Sequence, residues 1–227
     1  MPKVSSVFFI LLFCLLILFW VKSGEGRRYP PGILINTAPE QLDMNGAKVW
    51  KKDEYKLKAL AKYKIQARVL STYHYHFPEA GADISPVDLA VGWSIMSDQK
   101  VLDKILPCSF QNNRAWLIRI CSPLNISIDT IMSSSAHMHI IPKDKNMKAL
   151  IQKLRKGDLI EMSGYLVEVT SNKFAEPWRS SLSRTDHATI FASTGCEIMW
   201  VDELAHIISQ INEKSTRIIL LANRQQA

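Results

Sequence analysis

Two histidines separated by a single residue, His137 and His139, have the spacing that most suggests chemistry in this chain. Alternate residues of a β-strand point to one face, so both imidazoles can reach one metal ion if the segment around them is extended. A third ligand must come from elsewhere, and His74, His76, Asp129 and Asp186 are the candidates. No H-E-x-x-H run and no cysteine pair at metal-ligand spacing accompanies the histidines. Hydrogen-bonded structural histidines are therefore the competing reading, and a metal-dependent hydrolase using His137 and His139 is an alternative function rather than the leading one.

Other polar residues suggest binding more than catalysis. Alternation puts His74 and His76 on one side of an extended segment with Arg68, Lys64 and Thr72, which makes an anion-binding face. The interleaved Tyr73 and Tyr75 fall on the opposite side, so base stacking is not supported and nucleic acid is not an expected partner. Arg179 and Arg184, with Ser181 and Ser183 between them and Asp186 and Glu197 nearby, form a second candidate polar patch. Arg68, His74, His76, Arg179 and Arg184 are thus the candidate binding residues. No G-x-S-x-G elbow surrounds these serines, and Glu161 and Glu168 fall on opposite faces of their segment, which disfavours paired-carboxylate chemistry. There is no phosphate-cradling glycine loop and no dinucleotide fingerprint. No catalytic residue and no cofactor is assigned.

The elements that must hold these residues are mainly strands. Residues 63–77 alternate between apolar and polar side chains and give the clearest strand. A turn-rich stretch through Gly81 and Pro86 leads to a short helix over 98–106, stopped by Pro107. Strands are expected over 115–121 and 130–141. A helix follows over 144–156, where Met147, Leu150, Ile151 and Leu154 recur at helical spacing, with Asp144 as its cap. The stretch 158–169 is a strand, bent or bulged at Gly164. Residues 178–184 and 196–201 complete the set. Beyond Asp202, Leu204, Ile207, Ile208 and Ile211 fit a closing helix and 218–221 a last strand. This order predicts a β-rich α+β domain, a small closed barrel of the oligonucleotide/oligosaccharide-binding (OB) type.

The first residues set the location. Residues 7–21 hold no polar side chain, and extension back to Val4 gives 18 residues, roughly 27 Å as a helix. The segment ends in Phe19, Trp20 and Val21 where a signal peptidase wants small residues, so residues 4–22 are expected to be an uncleaved transmembrane anchor in contact with lipid. Residues 23–47, rich in glycine and proline, read as a linker. The globular domain is expected over 48–206, with 207–227 as a C-terminal tail. Cys108, Cys121 and Cys196 remain outside the anchor; buried free thiols are favoured, with one disulfide as the alternative in an oxidising compartment. The net charge of +7 is concentrated in residues 48–68, where eight basic residues face Asp53 and Glu54, and in 143–156, where six face Asp144. Both clusters read as solvated faces, with anionic headgroups or nucleic acid as the competing partners, and a nucleic-acid-binding barrel is a further alternative function if the domain lies in the cytoplasm.

A series of separated phrases adds a resemblance. Pro86-Val87-Asp88-Leu89-Ala90 with Gly92-Trp93 and Met96-Ser97-Asp98 comes first, then His139-Ile140-Ile141-Pro142 and Gly164-Tyr165-Leu166-Val167. Trp178-Arg179-Ser180-Ser181-Leu182-Ser183-Arg184 and Cys196-Glu197 close the series. Over about residues 29–204 the chain resembles a family of uncharacterised bacterial single-pass membrane or envelope proteins of unknown function. It departs from the relatives in the longer segment 185–194, and position 137 is often another polar residue in them. The resemblance implies a bacterial envelope setting and no activity. A single-pass inner-membrane protein whose domain binds another envelope protein or polymer is the resulting expectation; Lys22, Arg27 and Arg28 favour the cytoplasm by the positive-inside bias, a short opening with the single Lys3 suits export, and the periplasm is the side expected.

Overall fold

One long strand organises the sheet, and the reason is legible in its alternation. The computed structural model describes residues 26–44, 48–76, 79, 81–112, 114–183 and 196–207, together with Phe8 and Phe9. Its elements are β1 (Glu40–Asp43), β2 (Val49–Lys52), β3 (Tyr55–His74), β4 (Val87–Gly92), α1 (Gln99–Ile105), β5 (Phe110–Asn112) and β6 (Ala115–Leu117). After them come α2 (Ile128–Met132), β7 (Ser135–Pro142), α3 (Lys145–Ile151), β8 (Leu159–Thr170), β9 (Trp178–Arg179) and β10 (Glu197–His206), and a 3-10 turn occupies Ser94–Ser97. In β3, buried Tyr55, Leu57, Tyr63, Ile65 and Val69 alternate with exposed Lys56, Lys58, Lys62 and Lys64. Lys56, Lys58, Lys62 and Lys64 of the basic cluster are thus the solvated face of a strand, whereas Arg68 is buried.

The sheet is mixed. From β3 the pairings run through β4, β7, β10 and β8 and return to β3, so these five strands form a partial ring, and β1, β2 and β9 along it complete an eight-stranded sheet. All pairs are antiparallel except β7–β10. Register shifts between Ala59 and Ala61 and between Val69 and Ser71 let β3 bend enough to serve both sides. The main apolar cluster includes Ile65, Val69, Leu89, Met138, Ile140 and Met162. Two smaller clusters lie around Leu57 and Ile198 and around Leu70 and Leu102.

Several expectations need correction. The strand expected over 63–77 begins at Tyr55 and stops at His74, because the lysine-spaced alternation extends further back. The turn-rich stretch before the first helix also contains β4; it is buried on both faces and so shows no alternation to read. The strand expected over 130–141 is divided: Ser127 caps α2, a turn follows at Ser133 and Ser134, and β7 starts at Ser135. The strand at 115–121 shortens to β6, and its last residue, Cys121, is bridged to Cys108. The strand at 178–184 shortens to β9, whereas that at 196–201 extends to His206 and takes Leu204 out of the expected helix. Asp144 caps its helix as expected, accepting from Met147 N, and the structure adds a cap at Asp98, which accepts from Lys100 N. The second helix ends at Ile151 rather than Lys156, and Leu154 beyond it docks in the core.

The segment read as a linker is partly built into the domain. Ile35 is buried in the main core and β1 pairs with β3. Among the described residues no helix is long and apolar enough to cross a membrane. Apart from Phe8 and Phe9, the anchor at 4–22 lies outside those residues, as do Arg184, Asp186 and the tail beyond Ile207.

Candidate functional site

β7 presents His137 and His139 on one face while Met138 and Ile140 enter the main core from the other. The antiparallel register sets His139 opposite Asp88 and His137 opposite Ala90. A small residue at position 90 leaves room above the strand, and a carboxylate at 88 supplies a partner. Asp88 Oδ1 stands 3.0 Å from His139 Nδ1, and Oδ2 is 3.8 Å from His137 Nε2. The parallel pairing of β10 places Glu197 opposite Met138, so Cys196, just before the strand, arrives beside His137. Its Sγ is 3.2 Å from His137 Nδ1. His137, His139 and Cys196 each offer a ligand atom within 4.8 Å of the others.

The rest of the pocket is closed by side chains from distant loops. Arg114, at the tip between β5 and β6, has a left-handed backbone with φ 62°, a conformation costing on the order of 1 kcal/mol for a non-glycine residue. Its Nη1 donates to Asp88 Oδ1 at 2.7 Å and to Ser85 Oγ at 3.2 Å, and its backbone N–H donates to the Tyr75 hydroxyl at 2.8 Å. Tyr75 in turn donates to Asp88 Oδ2 at 2.6 Å, and the Arg114 guanidinium lies 3.9 Å from the Tyr75 ring centroid. Trp178 packs its ring 5.0 Å from that of His139, and Gln111 reaches His137 Nε2 at 3.0 Å.

Burial and charge then fix the ionisation. Burial alone would raise the Asp88 carboxyl, but His139, Arg114 and Tyr75 together hold it below the usual carboxylate range. For His137 burial dominates, with His139 adding to it, and pulls the imidazole down to about 4. Burial pushes the Cys196 thiol up to about 12, and Glu197 and Asp88 contribute in the same direction. The pair is therefore a neutral imidazole beside a neutral thiol, not the thiolate and imidazolium of a cysteine nucleophile. Neutral imidazole is, however, the form that binds metals.

The other described candidate residues do not join this cluster. Arg68 is not on an open anion-binding face: it is 3% exposed and donates to Ser97 O at 3.0 Å, Arg27 O at 3.2 Å and Gln99 Oε1. It rivets the N-terminal segment and the 3-10 turn to β3. His74 and His76 stack near-parallel with ring centroids 6.4 Å apart at the end of β3. Burial first, and His76 second, lowers the His74 pKa. Arg179 pairs across strands with Glu168. Asp129 is an exposed residue of α2. Among the described residues the third donor beside the histidines is Cys196 rather than His74, His76 or Asp129, and no local motif marks Asp88 or Arg114. Only the presence of Asp88 and Cys196 in the phrases quoted above pointed toward them. In comparisons with known proteins, no family model, no curated protein and no solved structure matches the chain.

Proposed function

We propose that the chain is a non-enzymatic, membrane-anchored protein of the bacterial envelope whose domain, a small OB-type barrel, sits in the periplasm and binds another envelope protein or polymer. The observation that carries this reading is the Cys108–Cys121 disulfide. Such bridges persist in oxidising compartments and are rare in the cytosol. Together with the apolar run at 7–21, it favours a domain held beside a membrane on its oxidising side, against the pull of Lys22, Arg27 and Arg28, which by the positive-inside bias alone favour the cytoplasm. The barrel reading is supported by the cyclic strand order, by the parallel β7–β10 pair and by α3 lying between β7 and β8 in the chain. For binding, a surface groove of about 570 Å³ runs between β1 and the middle of β8, lined by Gln41, Lys62, Lys64, Tyr165 and Glu203 among others.

Two measurements test this. A phosphatase that works only in the periplasm, fused after Ala227, is expected to be active, and activity only of a cytoplasmic reporter at the same place removes the envelope-side reading. A photo-crosslinking residue at Gln41 is expected to capture a defined envelope component in intact cells. The same residue at exposed Leu150 serves as the control, and equal capture at both positions, or none at either, defeats the groove as the binding surface.

A further inference from the structure

We propose that His137, His139 and Cys196 form a zinc site, a property beyond the binding role inferred above. Their three donors converge within 4.8 Å, and they come from the paired strand β7 and the residue leading into β10. Two imidazoles and one sulfur suit a borderline-soft ion of tetrahedral preference; calcium and magnesium take oxygen ligands instead.

The groups behind the histidines match what ligating imidazoles require. Such a histidine ordinarily gives its second ring N–H to a carboxylate or carbonyl, which fixes both tautomer and orientation. Asp88 Oδ1 is the carboxylate oxygen nearest that position for His139, 3.0 Å from Nδ1, and Nδ1 itself is buried without a hydrogen bond in this arrangement. Gln111 occupies it for His137, with its amide 3.0 Å from Nε2. The Gln111 Oε1 atom is buried without a hydrogen-bond partner. Turning the amide over, a choice that heavy-atom positions leave open, places this oxygen on His137 Nε2–H. The same tautomer leaves the lone pair on Nδ1, which faces Cys196 Sγ at 3.2 Å. One orphaned atom and one ligand orientation are thereby explained together. Arg114, 2.7 Å from Asp88 Oδ1, keeps that carboxylate as an outer anchor rather than a metal ligand. Three protein donors remain, with the fourth tetrahedral position left to water.

The experiment uses the full chain, purified in detergent, stripped with a chelator and titrated with zinc chloride. The expected result is one zinc per chain, and cobalt in its place should give a thiolate charge-transfer band that Cys196→Ser abolishes. His137→Asn and His139→Asn should each weaken zinc binding by at least about tenfold, the least that loss of a partner around a metal typically costs. Substoichiometric zinc, or full binding retained by a Cys196→Ser/His137→Asn double variant, overturns the site. A readout on the unmutated chain guards against misfolded variants: saturating zinc should slow alkylation of Cys196, followed by mass spectrometry of its peptide, about tenfold or more. An unchanged alkylation rate overturns the proposal equally.

Discussion

Asp88 and His139 stand directly opposite each other in the antiparallel β4–β7 pair, and the Asp88 Oδ1 to His139 Nδ1 distance is 3.0 Å in a place where the carboxylate has no solvent exposure. A buried charge survives only when it is paired and hydrogen-bonded. Here the pairing comes from three directions: β7 supplies His139, the β5–β6 hairpin supplies Arg114, and Tyr75 arrives from the residue just after β3. The polar cluster therefore ties the hairpin to the sheet.

Asp88→Ala should consequently be among the most damaging single changes in the domain. It leaves the Arg114 guanidinium half of a partly buried ion pair and removes the acceptor of Tyr75. The expected loss is about 3–5 kcal/mol, with Asp88→Asn milder because an amide oxygen still accepts. Urea unfolding of the full chain measures both. A loss under about 1 kcal/mol for the alanine variant would mean that the network contributes specificity rather than stability.

Arg68 makes a different prediction, about the N-terminal segment. The Ser97 hydroxyl lies 3.0 Å from Leu34 N and 3.1 Å from Ile35 N, accepting from both, while Arg68 holds Ser97 O and Arg27 O. Arg68→Met keeps much of the volume and removes these bonds. Amide exchange at Leu34 and Ile35 should then accelerate selectively, by on the order of ten- to a hundredfold if one or two bonds are lost. Uniform acceleration across β3 and β8 would show that the residue supports the whole sheet instead.

The Cys108–Cys121 bridge closes a loop of 13 residues' separation over the β5–β6 hairpin. The Cys108→Ser/Cys121→Ser double variant is expected to lose about 3 kcal/mol, the chain-entropy value for a loop of this size. Thermal melts with and without reductant should differ for the parent and coincide for the variant. If reductant leaves the parent melt unmoved, the bridge contributes nothing to stability.

What could be read in the residues follows from where one-sided burial leaves a pattern. The odd-numbered apolar residues of β3, the Asp144 cap and the β8 strand all announce themselves, since each leaves a local pattern of alternation or capping. β4 does not, because Val87–Gly92 is covered on both faces and a buried aspartate within it looks like a break in a strand. The same holds for the site. His137 and His139 are adjacent in sequence and their shared face is predictable, whereas Cys196 and Asp88 reach them only through the parallel β7–β10 and antiparallel β4–β7 registers. Arg68 misled for the complementary reason: it sits in register with solvated lysines, yet α1 and the N-terminal segment cover that end of β3.

Gly164 shows how one residue can decide whether the ring forms. It pairs with Tyr63 of β3 on one side and Val201 of β10 on the other. A Cβ built there would lie 1.9 Å from the Trp200 carbonyl oxygen, a backbone atom that cannot swing away. The register shift between Val201 and Glu203 sits at the same level, so β10 bends where β8 has no side chain. Gly164→Ala must then push β10 off β8, and with it the start of the strand that delivers Cys196 to His137. Overpacking of this kind costs about 1–3 kcal/mol or more. Gly32→Ala provides the comparison, since nothing lies within 4 Å of its Cβ position and only its φ of +133° opposes the change. Unfolding of the two variants should rank Gly164→Ala as clearly the worse, with Cys196 alkylation accelerated in that variant alone. Equal destabilisation would mean that the β8–β10 approach is loose enough to absorb a methyl group.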